Sequence, residues 1–173
     1  MPTTYMKIDN INGDVTAKGH ENWIALESFS FATKRLITTD PGRIIDREGT
    51  RPTLTEVYIT KKLDKSSALI FSESCVGKAK STVKIDCCQT SDSLTPYLQL
   101  TLSNVIVSSY AIESNHTQHV TDKNGKTVEK NFLFEKVSLS FDKIEFRYTP
   151  FSNQNQAQSP ISSGYDLKTA TSA

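Results

Sequence analysis

A chain of 173 residues carrying 20 Lys plus Arg against 19 Asp plus Glu, formal net charge +1, fits one domain with one core and gives no electrostatic drive toward nucleic acid or an acidic membrane. The opening MPTTYMKID has no basic stretch leading into an apolar one, so no cleavable secretory signal is expected. The longest apolar run, Ala68 to Phe71, is far below the ~20 residues that span a bilayer, so no membrane insertion and folding in the cytoplasm are expected.

Near the N-terminus, Phe29 and Phe31 alternate with Ser28 and Ser30, which predicts a strand with an apolar core face and a wet face. Uncharged hydroxyls on such a face can hydrogen-bond water or a guest. Ser28 and Ser30 are therefore candidate contact residues, beside the plainer reading of solvent exposure. Thr38 to Arg51, TTDPGRIIDREGTR, reads as a long polar loop turning at Pro41-Gly42, and loops of this length in compact domains are usually functional or disordered. Its charges, Arg43, Asp46, Arg47, Glu48 and Arg51, are mixed in sign.

One helix is expected, capped by Asp64 and closed by a left-handed Gly77, with Ala68, Leu69, Phe71, Cys75 and Val76 as its apolar stripe. Ile70 lies off that stripe, which makes it a candidate subunit contact. Cys75, Cys87 and Cys88 lack zinc spacing and are read as reduced thiols. Further on, Leu98, Leu100 and Leu102 share one face, as do Val137, Leu139 and Phe141. In both places the phase then flips, to Val105 after Leu102 and to Ile144, Phe146 and Tyr148 after Asp142-Lys143. An extra residue at each flip lets one long strand serve two sheets, as barrels and sandwiches require. Asn115 to Asn131 contains Asn124-Gly125, a strong hairpin signal, and should form a protruding arm. Asn153 to Ser163 reads as a low-complexity passage before a terminal GYDL strand.

Chemistry-bearing constellations are thin. His116, His119 and Asp122 form an H-x-x-H-x-x-D string, but strand spacing of three sets residues on opposite faces, so no metal site is assigned. DKNGKT lacks most oxygen positions of a calcium loop. A Cys nucleophile paired with His20 is weighed against inert core thiols, and the latter reading is favoured. Phosphate-cradling and nucleophile-elbow motifs are absent from the sequence, so neither cofactor nor enzymatic activity is expected.

Two segments, YMKIDNINGDVTAKGHENWIALESFSF (Tyr5 to Phe31) and VSLSFDKIEFRYTPF (Val137 to Phe151), together resemble the haemolysin-coregulated protein (Hcp) family. The likeness rests on Met6, Gly13, Asp14, Lys18, Gly19, His20 and Phe29-Ser30-Phe31, and on K-I-E-F-x-Y-T-P at Lys143 to Pro150. TKKLDKSSALIF (Thr60 to Phe71) is similar to the family's strand-to-helix passage, and SGYDL (Ser163 to Leu167) to its C-terminal strand. The resemblance implies a mainly β fold, an antiparallel β-barrel of two packed sheets with one flanking α-helix, phage tail-tube-like, as a single domain over 1–173. It also implies a structural subunit of the bacterial type VI secretion inner tube: a homo-hexameric ring, stacked on other rings, carrying effector cargo, surrounded by sheath proteins and tipped by a VgrG-like protein. The protein would be assembled in the bacterial cytoplasm and then secreted or injected into target cells. On that reading Arg43, Asp46, Arg47, Glu48 and Arg51 are expected at the ring-to-ring contact, and Ser28 and Ser30 in the lumen. The arm at 115–131 is longer than the usual family hairpin. The alternative is a compact β-barrel binding module for a polymer ligand, but the wet faces lack the basic and aromatic clusters that such modules display.

Overall fold

The structure, a computed structural model, describes residues 3–37, 51–89, 94–121, 123, 125–154 and 156–172. Its strands are β1 (Thr4–Ile8), β2 (Ile24–Ala25), β3 (Ser28–Ser30), β4 (Thr33–Arg35), β5 (Pro52–Leu54), β6 (Val57–Lys62), β7 (Lys80–Cys88), β8 (Pro96–Thr121), β9 (Thr127–Ser140), β10 (Lys143–Tyr148), β11 (Ile161–Asp166) and β12 (Thr171–Ser172), with α1 (Ser67–Val76) between β6 and β7. The first sheet runs β12-β11-β10-β8-β7-β1-β2, and the second runs β3-β6-β9-β8. All these pairs are antiparallel. β4 and β5 form a separate two-stranded sheet.

The two sheets share β8. Up to Val105 it pairs with β7 and β10, and from Ile106 onward with β9. Leu100 and Leu102 are buried before the change, Val105 and Val107 after it. Between them Asn104 takes φ 53°, a left-handed conformation that Asn tolerates better than most residues. The second phase flip falls where β9, in the second sheet, passes into β10, in the first: Val137, Leu139 and Phe141 are buried, then Ile144. Both predicted flips are therefore the points at which the chain changes sheet.

The core between the sheets gathers Met6, Ile8, Ile24, Val57, Ile59, Ile85, Leu100, Leu102 and Leu139, among others. Burying each such side chain contributes on the order of 1.5–3 kcal/mol. An ion pair lies within it. Lys61 and Glu135 face each other across β6 and β9, both fully buried, with Nζ 2.5 Å from Oε2. The Lys61 ammonium also donates to Ser67 Oγ at 3.2 Å and lies 3.0 Å from Asp64 Oδ1, while the Tyr110 hydroxyl donates to Glu135 Oε1 at 2.5 Å. Burial, with the Glu135 carboxylate beside it, pushes the Tyr110 hydroxyl well above the usual phenol range, so it remains a donor. This network fastens the start of α1 to the second sheet.

The helix corrects one expectation. Ile70 is wholly buried and, with Ser67 one turn earlier, supplies the buried face of α1. Leu69, Phe71 and Val76, assigned to the buried stripe, are exposed instead. The reason lies in where the helix starts: beginning at Ser67, held down through Lys61, it turns Ile70 toward the sheet. An Ile at that depth is a core residue and is not available as a subunit contact. Asp64 accepts from the Ser66 N–H at 2.8 Å, the N-cap Ser66 makes no capping bond through its own side chain, and Gly77 closes the helix at φ 67°, its N–H donating to the Glu73 carbonyl.

The arm is a hairpin of the ends of β8 and β9, paired from His116↔Phe132 to Thr121↔Thr127, with Gly125 at φ 78°. A register shift between Glu113 and His116 separates it from the sheet body.

Candidate functional site: the hydroxyl face of the second sheet

Ser28 and Ser30 are exposed, and the intervening Phe29, with Phe31, packs against the core. Directly opposed residues in an antiparallel pair share a face, so the register extends these serines into rows across the sheet. Ser28 faces Thr60, which faces Lys136, which faces Ala111. Ser30 faces Tyr58, then Ser138, then Ser109. A further row runs Lys62, Phe134, Glu113. Sequence reading found only the first two serines. Alternation in VYITKK and VSLSF marks Tyr58, Thr60 and Ser138 as outward residues, but which strands lie side by side is not written in any one strand.

Two hydroxyls of this face bond directly, Ser109 Oγ donating to Ser138 Oγ at 2.6 Å, and beside them Ser108 Oγ donates to the Ser138 backbone carbonyl at 3.1 Å. Its charges are matched locally, Lys136 with Glu113 at 2.7 Å and Lys62 with Glu27 at 3.5 Å. Tyr58 stands out among small neighbours at 48% exposure. The face is thus polar, close to uncharged, and suited to sliding or weak contact more than to gripping a charged polymer.

Both edges of this sheet are open among the described residues: β3 pairs only with β6, and β8 beyond Ile106 pairs only with β9. An open edge presents unpaired backbone groups to another chain.

A second cluster brings together the His20 and Cys of the sequence reading. Cys88 Sγ lies 3.8 Å from His20 Nε2, and Asp86 Oδ2 lies 2.9 Å from the same nitrogen. A nucleophilic relay places thiol and carboxylate on opposite ring nitrogens. Here both crowd Nε2, while Nδ1 is buried without a hydrogen-bond partner. Burial, reinforced by the Asp86 and Cys87 charges, pushes the Cys88 thiol up to about 12, so it is not a thiolate near neutrality. The cluster is a packing unit, with Tyr5 stacked on His20 at 4.9 Å, the Trp23 edge at 4.6 Å, and Gln99 donating to Asp86 Oδ1 at 3.1 Å. Gly13 is required beside it, since a Cβ there would sit 2.3 Å from the Trp23 carbonyl oxygen.

Among the other sequence candidates, Arg51 is exposed just before β5, while Arg43, Asp46, Arg47 and Glu48 lie outside the described residues, as do Asp122 and the side chains of His116 and His119. Among the described residues no group of three His, Cys, Asp or Glu is placed to hold a metal ion. Among the described residues no helix is long and apolar enough to cross a membrane.

The profile of the family described as "Type VI secretion system effector, Hcp" matches residues 5–148. The chain belongs to the Hcp family of type VI secretion proteins. Comparison with curated protein sequences returned no match. Among solved structures, a type six secretion system protein is 20% identical, with TM-score 0.85 and 98% of each chain covered. Hcp1 from Salmonella typhimurium is 21% identical at TM-score 0.69, covering 98% of this chain and 97% of its own. Hcp3 from Pseudomonas aeruginosa, a secreted protein, is 18% identical at TM-score 0.56, with 94% and 96% covered. At these identities the likeness establishes the fold.

Proposed function

We propose that this chain is a structural subunit of the type VI secretion inner tube, assembling as a hexameric ring that stacks and carries effectors, and is itself secreted by the same system. The observation that carries the reading is the second sheet: two open edges flanking a hydroxyl face whose charges are internally matched. Edge-to-edge pairing of β3 in one copy with β8 in the next is heterologous, and such contacts close into rings when the rotation permits. The hydroxyl face, with Ser28 and Ser30, then lines the lumen. Arg43, Asp46, Arg47, Glu48 and Arg51 meet the next ring, where mixed charges favour one register over others. A VgrG-like tip, a sheath and effector cargo complete the set of partners. Negatively stained protein should show annuli, and their absence at every concentration tried would remove the ring.

A further inference from the structure

The outward face of the first sheet sets two lysines directly against each other. On β1 and β7, Met6 pairs with Ile85 and Ile8 with Val83, all four buried in the core, and between them Lys7 pairs with Lys84, both exposed. Directly opposed residues of an antiparallel pair have Cβ atoms about 4.5–5.5 Å apart, and like charges there destabilise the sheet. Neither ammonium enters an ion pair or hydrogen bond with any described residue.

The carboxylates of this face are engaged elsewhere. Asp9 accepts from the Ser81 hydroxyl and from the Thr82 N–H at 3.0 Å, and Asp86 lies 2.9 Å from His20 Nε2 and accepts from Gln99 at 3.1 Å. Glu145 is paired with Lys143 at 2.8 Å. A depression of about 210 Å³ opens over the two lysines, lined by Lys7, Asp9, Thr82 and Lys84. The Thr82 hydroxyl bonds to no described residue, so two ammoniums and a hydroxyl donate into the depression beside the one carboxylate, Asp9.

A local rule broken without a compensating contact is the mark of a functional position. The repulsion is relieved by an anion whose oxygens accept from both ammoniums at once. A phosphate monoester carries about −1.5 to −2 charge at neutral pH and three strong acceptor oxygens, which serve two ammoniums and a hydroxyl together; a carboxylate has one charge and two oxygens. We propose that the Lys7–Lys84 depression binds a terminal phosphate group, carried by a soluble compound or by a lipid headgroup. The near-zero net charge of the chain does not oppose this, because charges more than about 8–10 Å away are largely screened. The site lies across the core from the hydroxyl face and is independent of the tube reading.

The test compares the full chain with Lys7→Gln, Lys84→Gln and Lys78→Gln, the last removing the same charge from another exposed position. In calorimetric titration at low ionic strength, pyrophosphate should bind the parent and Lys78→Gln alike. Either site variant should bind about tenfold more weakly or worse, the factor that one hydrogen bond to a charged group supplies. Without ligand, Lys84→Gln should unfold at the parent's denaturant midpoint or above it, since the repulsion is gone; with pyrophosphate the order should reverse. Flotation with phosphatidylcholine vesicles containing phosphatidic acid separates the sources. Retention of the parent that Lys84→Gln loses assigns a lipid headgroup, and titration without retention assigns a soluble phosphate compound. Binding that survives both site substitutions, equal weakening in Lys78→Gln, a ligand-free midpoint of Lys84→Gln below the parent's, or no binding in either format overturns the site.

Discussion

The Asn104 side-chain amide donates to the Asp142 carboxylate, joining the two places where the chain changes sheet. Asp142 also donates its N–H to the Ser103 carbonyl at 3.1 Å, and its carboxylate takes Lys168 Nζ at 2.6 Å. The Lys168 ammonium, and next the Asn104 amide, hold the Asp142 carboxyl below its ordinary value. A depressed carboxyl pKa contributes stability that is complete above the unfolded value, about 3.9, and is lost as pH falls from there through the folded one. Denaturant midpoints measured on either side of that value should therefore fall on the acid side, and more shallowly in Asp142→Asn. An identical acid limb in the variant would contradict this role. Asn104→Val should cost more than Asn104→Gly, because a β-branched residue resists the left-handed conformation.

Lys61→Met should be strongly destabilising, by about 3–5 kcal/mol, because it leaves the Glu135 carboxylate buried without its cation. Lys61→Met combined with Glu135→Leu should recover much of that loss, which urea unfolding of the parent chain and the two variants would reveal. If the double variant is no better than the single one, the buried pair is not the dominant interaction there.

Thiol reactivity should divide sharply. Cys75 is exposed, Cys87 and Cys88 are buried, and burial is the main cause raising both buried thiols. In native protein near neutral pH an aromatic disulfide reagent should titrate Cys75 quickly and the other two only after denaturation. Rapid reaction of Cys88 in the folded state would reopen its pairing with His20 as chemistry.

Ser30→Gln places a longer side chain on the hydroxyl face without touching the core. The variant should keep its ring mass and co-purify less of a cognate effector than the parent chain. Undiminished effector with rings intact would take Ser30 out of the cargo surface.

Much of the fold is legible in the sequence, because strand alternation is a local signal. The flips after Leu102 and after Phe141 mark the sheet crossings to within a residue or two of Asn104 and Asp142. The helix shows the limit. Which of Leu69, Ile70 and Phe71 turns inward depends on the Lys61 network, a contact set by strand pairing between β6 and β9 that no local window contains. Cys87 and Cys88 show it again: neighbours in a strand face opposite ways, yet both are buried, because the His20 cluster covers the face that carries Asp86 and Cys88. The hydroxyl face was half legible, since Ser28 and Ser30 declare themselves by alternation while Tyr58, Ser138 and Ser109 join them only through register.

The mass of the purified protein in solution tests the central claim most directly. Sedimentation equilibrium should give six times the 19.3 kDa subunit mass, with larger multiples of that ring as concentration rises. A single species at the subunit mass across the whole concentration range would contradict the account.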